Sequence, residues 1–182
     1  MNYRQYLNFY PDFPIKGVNF VDIIPLLQDK ELFRQLTADL SALCTAPNIA
    51  APEARGFLFA TPMLYANTPV QNVIPLRKKG KLPFAEGDLV QVEIMKEYGP
   101  DHVYFRVSDI AASKPEGDVV EITFFDDILA TGGTASAAVR LVKQFNPKAV
   151  YASFIIDIVD IPRSSPIPSD VEVTSLLQLS EK

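Results

Sequence analysis

The stretch VVEITFFDDILATGGT, from Val119 to Thr134, decides the fold of this chain. Its first half is mostly β-branched or aromatic, which is typical of a buried central strand. Two acids, Asp126 and Asp127, come where that strand is expected to end, and a helix is expected from Ala135 to Phe145. Because ligands of open α/β sheets bind beyond the carboxyl ends of the strands, the segment predicts a binding site there.

The loop between strand and helix predicts a phosphate ligand. It consists of Ala130, Thr131, Gly132, Gly133 and Thr134. Glycines let backbone N–H groups approach phosphate oxygens, and the start of a helix favours an anion. The acids would repel a phosphate, so they are expected to face hydroxyl groups, as on a ribose. Taken singly, the loop could be a tight turn and the acids a solvated strand end; together they predict a sugar phosphate site.

Two nucleotide-binding motifs are absent from this segment. No Walker lysine follows the glycines, which argues against a P-loop nucleotidase. The three spaced glycines of the dinucleotide fingerprint, with an acid about twenty residues later, are missing as well.

Composition limits the class of protein. A length of 182 residues, 48% apolar and 21% charged, predicts one globular domain over residues 1–182. No apolar stretch approaches membrane-spanning length and no signal pattern opens the chain, so no membrane association is expected. A formal net charge of −5 argues against nucleic-acid binding. The single cysteine, Cys44, excludes an internal disulfide and favours a cytoplasmic location.

Strand and helix patterns alternate along the chain, which predicts an α/β fold with a mostly parallel central sheet flanked by helices. Residues Met1 to Pro14 are interpreted as an irregular arm. A helix is predicted from Asp29 to Ser41, with leucines at helical spacing on its core face. Further strands are predicted at 49–51, 70–76, 150–156 and 172–179.

Two charged clusters fall at predicted strand ends. The first is Glu53-Ala54-Arg55-Gly56-Phe57, and the second comprises Arg77, Lys78, Lys79 and Lys81. The first could be a capping acid and a surface arginine, and the second a solvated loop or a nucleic-acid patch, although the acidic total charge disfavours nucleic acid. At strand ends beside the acid pair, however, the cations favour clamping a polyphosphate, for which arginine offers a bidentate fork and lysine a point charge.

Alternating apolar residues predict a long β-hairpin from Leu89 to Met95 and from Val103 to Val107. Its tip carries Lys96, Glu97 and Tyr98, and such a tip is able to act as a mobile lid. The only histidine, His102, also lies near the tip, but a lone exposed histidine is not assigned to the site.

The segments PDFPIKGVNFVDIIPLL, EARGF, RKKGKLP, EYG and FDDILATGGT occur in the order and spacing of the adenine phosphoribosyltransferases, type I phosphoribosyltransferases, from about Pro11 to Leu179. The resemblance implies the type I fold with a base-binding hood at 1–27 and a flexible hairpin lid at 84–108. It implies conversion of adenine and phosphoribosyl pyrophosphate to AMP and pyrophosphate, with Mg²⁺ bound to the substrate and no protein metal site. It also implies a homodimer.

The resemblance assigns roles to particular residues. The catalytic set would be Glu97, Arg55 and Tyr98, with Glu97 exchanging a proton of the base and Tyr98 helping to close the lid. The phosphoribosyl pyrophosphate set would be Ala54, Arg77, Lys78, Lys81, Asp126, Asp127, Ala130, Thr131, Gly132, Gly133 and Thr134. The base-binding set would be Asn19, Phe20, Val21 and Ile128, with Phe20 and Ile128 sandwiching the purine.

The chain departs from the family at several of these positions. Asn19 stands where an apolar residue is usual, Val21 where arginine is usual, and the lid carries Glu93, Ile94 and Lys96. These departures leave two alternatives open: a phosphoribosyltransferase for hypoxanthine, guanine or xanthine, or a non-catalytic regulator that senses phosphoribosyl pyrophosphate. Ala130 replaces the loop aspartate of hypoxanthine–guanine enzymes, which leaves Glu97 as the candidate acid or base.

Overall fold

The computed structural model describes residues 1–66, 69–96, 99–112 and 120–180, without the side chains of 94–96, 99–101, 111 and 112. In chain order the strands are β1 Asn8–Pro11, β2 Asn19–Asp22, β3 Asn48–Pro52, β4 Asn72–Leu76, β5 Leu89–Lys96, β6 Gly99–Arg106, β7 Glu121–Leu129, β8 Ala149–Ile158 and β9 Glu172–Leu179. The α-helices are α1 Lys30–Leu43, α2 Arg55–Ala60, α3 Val107–Ala112 and α4 Gly133–Lys143. Short 3₁₀ turns cover Tyr3–Tyr6, Ile24–Leu27 and Thr61–Leu64.

Five strands form one sheet in the order β4-β3-β7-β8-β9, and all four neighbouring pairs are parallel. The segment that decides the fold supplies β7, the middle strand, as predicted. Its side chains alternate between the two faces, so Phe125 joins one hydrophobic cluster while Ile122 and Phe124 join the other. The parallel α/β architecture predicted from the sequence is therefore confirmed.

The helices cover both faces of this sheet. The cluster that contains Phe125 also holds Leu32, Leu36 and Leu40 of α1, the leucine stripe predicted to face the core. The opposite cluster holds α4 and the base of the β5–β6 hairpin. Asp29 begins α1 as its N-cap, since its carboxylate accepts a hydrogen bond of 2.7 Å from the Leu32 N–H.

The prediction of an irregular N-terminal arm was wrong. Residues Tyr3–Tyr6 form a 3₁₀ turn, and β1 pairs antiparallel with β2 in a separate two-stranded sheet. Tyr3 is 3% exposed, and its hydroxyl donates a hydrogen bond of 2.5 Å to Asp39 Oδ2 on α1. This contact with a helix that is distant in sequence orders the arm, and no local sequence pattern predicts such a contact.

Two further expectations can be compared with the structure. The strand expected to end at the acid pair continues to Leu129, because β7 still pairs with β8 at Asp126, Ile128 and Leu129. The hairpin is confirmed, with β5 and β6 antiparallel over their whole length.

Within the described ranges, none of the helices has the length and apolar character needed to cross a membrane.

Candidate active site

A cleft of about 200 Å³ opens at the carboxyl ends of β3, β4 and β7. Its lining comprises Pro52, Glu53, Ala54, Arg55, Leu76, Arg77, Lys78, Val103, Asp126, Asp127 and Thr134. Three segments far apart in the chain meet here because parallel strands end at the same edge of the sheet. The cleft therefore unites the first charged cluster, the start of the second, and the acid pair.

A smaller pocket of about 100 Å³ adjoins the cleft. It is lined by Asp126, Phe154 and the continuous run Ile128, Leu129, Ala130, Thr131, Gly132, Gly133, Thr134 and Ala135. Asp126 and Thr134 line both cavities, so the predicted phosphate loop lies beside the acid pair. This continuity suits a ligand that carries an anionic group on a hydroxylated ring.

Gly132 sets the shape of the phosphate loop. Its φ of 81° is left-handed, and it is the N-cap residue of α4. A Cβ atom there would lie 2.6 Å from the backbone oxygen of Ser165. Only glycine meets both requirements, which brings the start of α4 to the pocket as a candidate anion site.

The two acids differ in their surroundings. Asp127 is 2% exposed, and Arg55 Nε lies 2.8 Å from its Oδ2. Burial raises the pKa of Asp126 well above the usual aspartate value, and repulsion from Asp127 raises it further. The pair thus presents one carboxylate held by an arginine and one carboxyl group that retains its proton readily.

Glu53 organises the basic side of the cleft. Its Oε2 lies 2.8 Å from Arg77 Nε, and its Oε1 accepts a hydrogen bond of 2.6 Å from the Lys78 N–H. The Arg77 guanidinium also lies 5.7 Å from the centre of the Phe57 ring. The Arg77 backbone exchanges hydrogen bonds of 2.8 and 2.7 Å with Tyr104. Arg77 therefore joins three segments at the wall of the cleft.

Gly56 lies in the first turn of α2, next to the end of β3. In the structure a Cβ atom at Gly56 would lie 2.9 Å from the Cδ atom of Pro52. The glycine thus lets α2 start directly against the end of β3, which positions Arg55.

Some predicted site residues are not among those lining these cavities. Asn19, Phe20, Val21 and Lys81 are absent from the described lining. Val21 turns its side chain into the core, in the cluster that Ile128 packs against. The Phe20 ring contacts the Phe13 ring edge-on, with centroids 5.2 Å apart. Glu97 and Tyr98 lie outside the described residues.

Sequence reasoning missed two residues behind the phosphate loop. Arg163 donates hydrogen bonds to the carbonyl oxygens of Leu129 and Ala130 and forms an ion pair with Asp157. Arg163 lies in a tail that reads as irregular, and Asp157 reads as an ordinary residue at a strand end. Neither position carried a recognisable motif.

The acids of the cleft fit a magnesium ion that arrives with a phosphorylated substrate. Within the described residues, no group of three histidine, cysteine or acidic side chains forms a metal cage. Mg²⁺ usually keeps several waters and binds through one or two carboxylates plus substrate phosphates. Arg77 and Lys78 form the basic side of the cleft, here called the cationic wall. Asp126 and Asp127, which line the same cleft, meet that limited requirement.

Comparisons with known proteins agree with this geometry. No family model matches the chain. The adenine phosphoribosyltransferase of Maridesulfovibrio salexigens is 37% identical over 183 residues, covering 98% of this chain and 100% of that protein. The corresponding protein of Thermosipho africanus is 36% identical, covering 98% and 100%.

Solved structures show the same similarity. Adenine phosphoribosyltransferase from Rhodothermus marinus superposes with a TM-score of 0.78 at 31% identity, covering 97% of this chain and 96% of that one. The Saccharomyces cerevisiae enzyme, in complex with an imino-altritol bisphosphate and adenine, gives 0.76 at 30% identity, covering 95% of each chain. With this identity over nearly its whole length, the chain belongs to the adenine phosphoribosyltransferase family and has the type I phosphoribosyltransferase fold.

Proposed function

We propose that this protein converts adenine and phosphoribosyl pyrophosphate to AMP and pyrophosphate, a purine salvage reaction. The bond from the anomeric carbon to the pyrophosphate oxygen breaks, and a bond from that carbon to the adenine nitrogen forms. The observation that carries the proposal is the meeting of an acid pair, a glycine-containing loop at a helix start and a cationic wall in one cleft and the pocket that adjoins it. Relatives that are 36–37% identical over the whole chain bear the name of this activity.

The cationic wall would hold the leaving group. Breaking the anomeric bond develops negative charge on the pyrophosphate, which fixed cations stabilise. Arg77 and Lys78 line the cleft, and Glu53 limits how far Arg77 can swing. Arg55 would contact the pyrophosphate from the opposite segment, with the Ala54 backbone beside it. Lys81, outside the described lining, would extend this wall.

The acid pair would bind the ribose. The ribose hydroxyl groups would donate to the carboxyl oxygens of Asp126 and Asp127, and the negative charge of Asp127 would stabilise the positive charge that develops on the ring. The 5′-phosphate would lie in the loop from Ala130 to Thr134, where backbone N–H groups and the start of α4 favour an anion. This orientation would direct the anomeric carbon toward the cationic wall.

Mg²⁺ bound with phosphoribosyl pyrophosphate belongs to the proposal. When bound it would neutralise charge on the departing pyrophosphate, and Asp126 and Asp127 are the acids of the cleft that would face it. The raised pKa of Asp126 means that binding a cation there competes with a proton.

Base recognition rests on the family resemblance. Phe20 and Ile128 would sandwich the purine, and the main chain at Asn19 and Val21 would read its edge. The burial of the Val21 side chain agrees with a role for its main chain alone. Glu97 would act as general acid or base at the purine nitrogen, and Tyr98 would help to close the lid.

We also propose a homodimer in the cytoplasm. Leu58, Leu64 and Tyr65 expose apolar surface on α2 and the 3₁₀ turn that follows it, which suits a contact with a second copy. The single cysteine, Cys44, is buried, so the chain needs no oxidising compartment.

The test is nucleotide formation from phosphoribosyl pyrophosphate and Mg²⁺ with adenine, hypoxanthine, guanine or xanthine. We expect turnover with adenine and its loss when the metal is chelated. Turnover with a different purine would support the same mechanism with a different base specificity. The feature that favours this second candidate is Asn19 in the hood, which is partly buried. No turnover with any purine, while phosphoribosyl pyrophosphate still binds, would contradict the enzyme and favour a regulator.

A further inference from the structure

We propose that Arg163 is a positioning residue for the 5′-phosphate loop, which it holds in an anion-binding conformation from behind. The inference deepens the proposed function, because it assumes that the loop from Ala130 to Thr134 binds the 5′-phosphate. Arg163 itself lines neither the cleft nor its adjoining pocket. Its effect on the ligand would pass through the loop backbone.

The contacts of Arg163 join the loop to the neighbouring strand. Its Nη1 donates to the Ala130 carbonyl oxygen and, at 3.3 Å, to that of Leu129. Its Nη2 donates to Asp157 Oδ1. Asp157 lies on β8 directly opposite Leu129 in the sheet register. One guanidinium therefore ties the carbonyls of the last residue of β7 and the first residue of the loop to a carboxylate on the next strand.

The residues that follow Arg163 press on the same loop. The Ser165 N–H donates to the Thr131 carbonyl at 3.4 Å, and the Ser165 oxygen occupies the space that a side chain at Gly132 would need. Ser136 Oγ on α4 donates to the Pro166 carbonyl at 2.9 Å. We call residues Arg163–Pro166 the loop brace. Its contacts in the strand-to-helix connection are with Leu129, Ala130, Thr131, Gly132 and Ser136.

The loop brace supplies hydrogen-bond donors to the carbonyls of the loop, which any backbone anion site needs. When N–H groups converge on a phosphate, a carbonyl that turned toward the ligand would repel it. Carbonyls directed away from the ligand need donors of their own, because a buried carbonyl without a partner is costly. The Arg163 guanidinium supplies several donors in a rigid fork, which the single ammonium of lysine cannot reproduce.

Asp157 limits what Arg163 contributes by charge alone. The pair is partly buried, with 27% of the arginine and 17% of the aspartate side chain exposed. Since the carboxylate offsets the positive charge, the hydrogen-bond geometry of Arg163 dominates its influence on the phosphate. Replacing it by lysine should therefore resemble removing it more than keeping it.

The experiment compares Arg163→Gln and Arg163→Lys with the control Arg140→Gln. Arg140 is exposed on α4, and its replacement changes the net charge by the same amount as Arg163→Gln. Steady-state assays give KM for phosphoribosyl pyrophosphate and adenine, together with the inhibition constants of AMP and pyrophosphate. Under the proposed function AMP would occupy the 5′-phosphate loop and pyrophosphate would not. For Arg163→Gln we expect KM for phosphoribosyl pyrophosphate and the AMP constant to rise about tenfold, as for loss of a charge-assisted hydrogen bond. The pyrophosphate constant should stay within about twofold.

Arg163→Lys should show a similar rise and Arg140→Gln none. Equal weakening of AMP and pyrophosphate would indicate general loosening of the site and overturn the inference, as would unchanged constants for both ligands. If Arg163→Gln does not fold, the inhibition constants of AMP and pyrophosphate for Arg163→Lys are compared in the same way. If the wild type turns over no purine, the proposed function fails instead, and calorimetry with AMP and pyrophosphate still tests Arg163.

Discussion

At the residue scale, the proposed ribose-binding role of Asp126 opposes stability. Burial and the neighbouring Asp127 raise its pKa, so the folded chain binds this proton more tightly than the unfolded chain. Stability should therefore decrease as pH rises from the ordinary aspartate pKa, about 3.9, through the raised value of the folded state.

We expect Asp126→Asn to resist urea better than the wild type at pH 7, and the gain to disappear below about pH 4. Asn keeps an oxygen for the 2.9 Å hydrogen bond from the Asp127 N–H while it removes the buried charge. Urea unfolding between pH 3.5 and 8 measures the difference. Asp170→Asn is the control: Lys143 lowers the pKa of exposed Asp170, so its removal should give no gain. Equal destabilisation of Asp126→Asn at every pH would contradict the argument.

Gly132 carries both a backbone and a steric requirement. Gly132→Ala must place a β-carbon at a φ of 81° and 2.6 Å from the Ser165 oxygen. Left-handed backbone alone costs about 1–2 kcal/mol for alanine, and the clash should add to that. Gly17→Ala is the matched control, since Gly17 has a φ of 92° with nothing within 4 Å. Urea unfolding that gave equal losses for the two variants would show that the loop yields to Ser165.

At the scale of elements, Glu53 links the end of β3 to the start of the basic loop after β4. Glu53→Gln can keep the hydrogen bond from the Lys78 N–H but loses the ion pair with Arg77. We expect KM for phosphoribosyl pyrophosphate to rise about three- to tenfold, because a hydrogen bond to a charged group contributes about 1.5–3 kcal/mol and part of it remains. Steady-state kinetics at saturating adenine measure the change.

The control for Glu53 is Glu31→Gln, which removes another carboxylate–arginine contact, the exposed pair with Arg34 on α1. Exposed pairs contribute little, so this variant should keep wild-type kinetics and stability. An unchanged KM for phosphoribosyl pyrophosphate in Glu53→Gln would mean that Arg77 needs no carboxylate to hold its position.

For the molecule as a whole, the proposed dimer rests on the exposed apolar surface of α1, α2 and the 3₁₀ turn that follows α2. Tyr65 is 92% exposed beside a groove of about 460 Å³ that also contains Phe33 and Pro62. We expect the wild type to have the mass of a dimer in light scattering, and the double variant Leu58→Asp, Tyr65→Asp that of a monomer, because burying two new charges is unfavourable. Phe84→Asp, at an exposed apolar residue elsewhere, should stay dimeric. Identical masses for wild type and double variant would exclude this surface.

Local patterns predicted most of the sheet. The prediction of β9 from Glu172 to Leu179 matches the structure, and α1 begins one residue after the predicted start because Asp29 is its cap. Alternation and helical spacing act over a few residues, so they survive in any tertiary context. The prediction that the N-terminal arm is irregular was wrong because Tyr3 is held by a hydrogen bond to Asp39, a residue of another element.

The sequence by itself determined the central strand, the glycine-containing loop that follows it and the presence of acids and cations at strand ends, because each is written in consecutive residues. Only the tertiary structure decided how these groups pair: Arg55 with Asp127, Glu53 with Arg77, and Arg163 with Asp157. The first two pairings join segments from different strand ends. They depend on the order in which parallel strands lie side by side, and no local pattern encodes that order. Arg163 and Asp157 are near in sequence, yet their importance appears only where the tail folds back against the loop between β7 and α4.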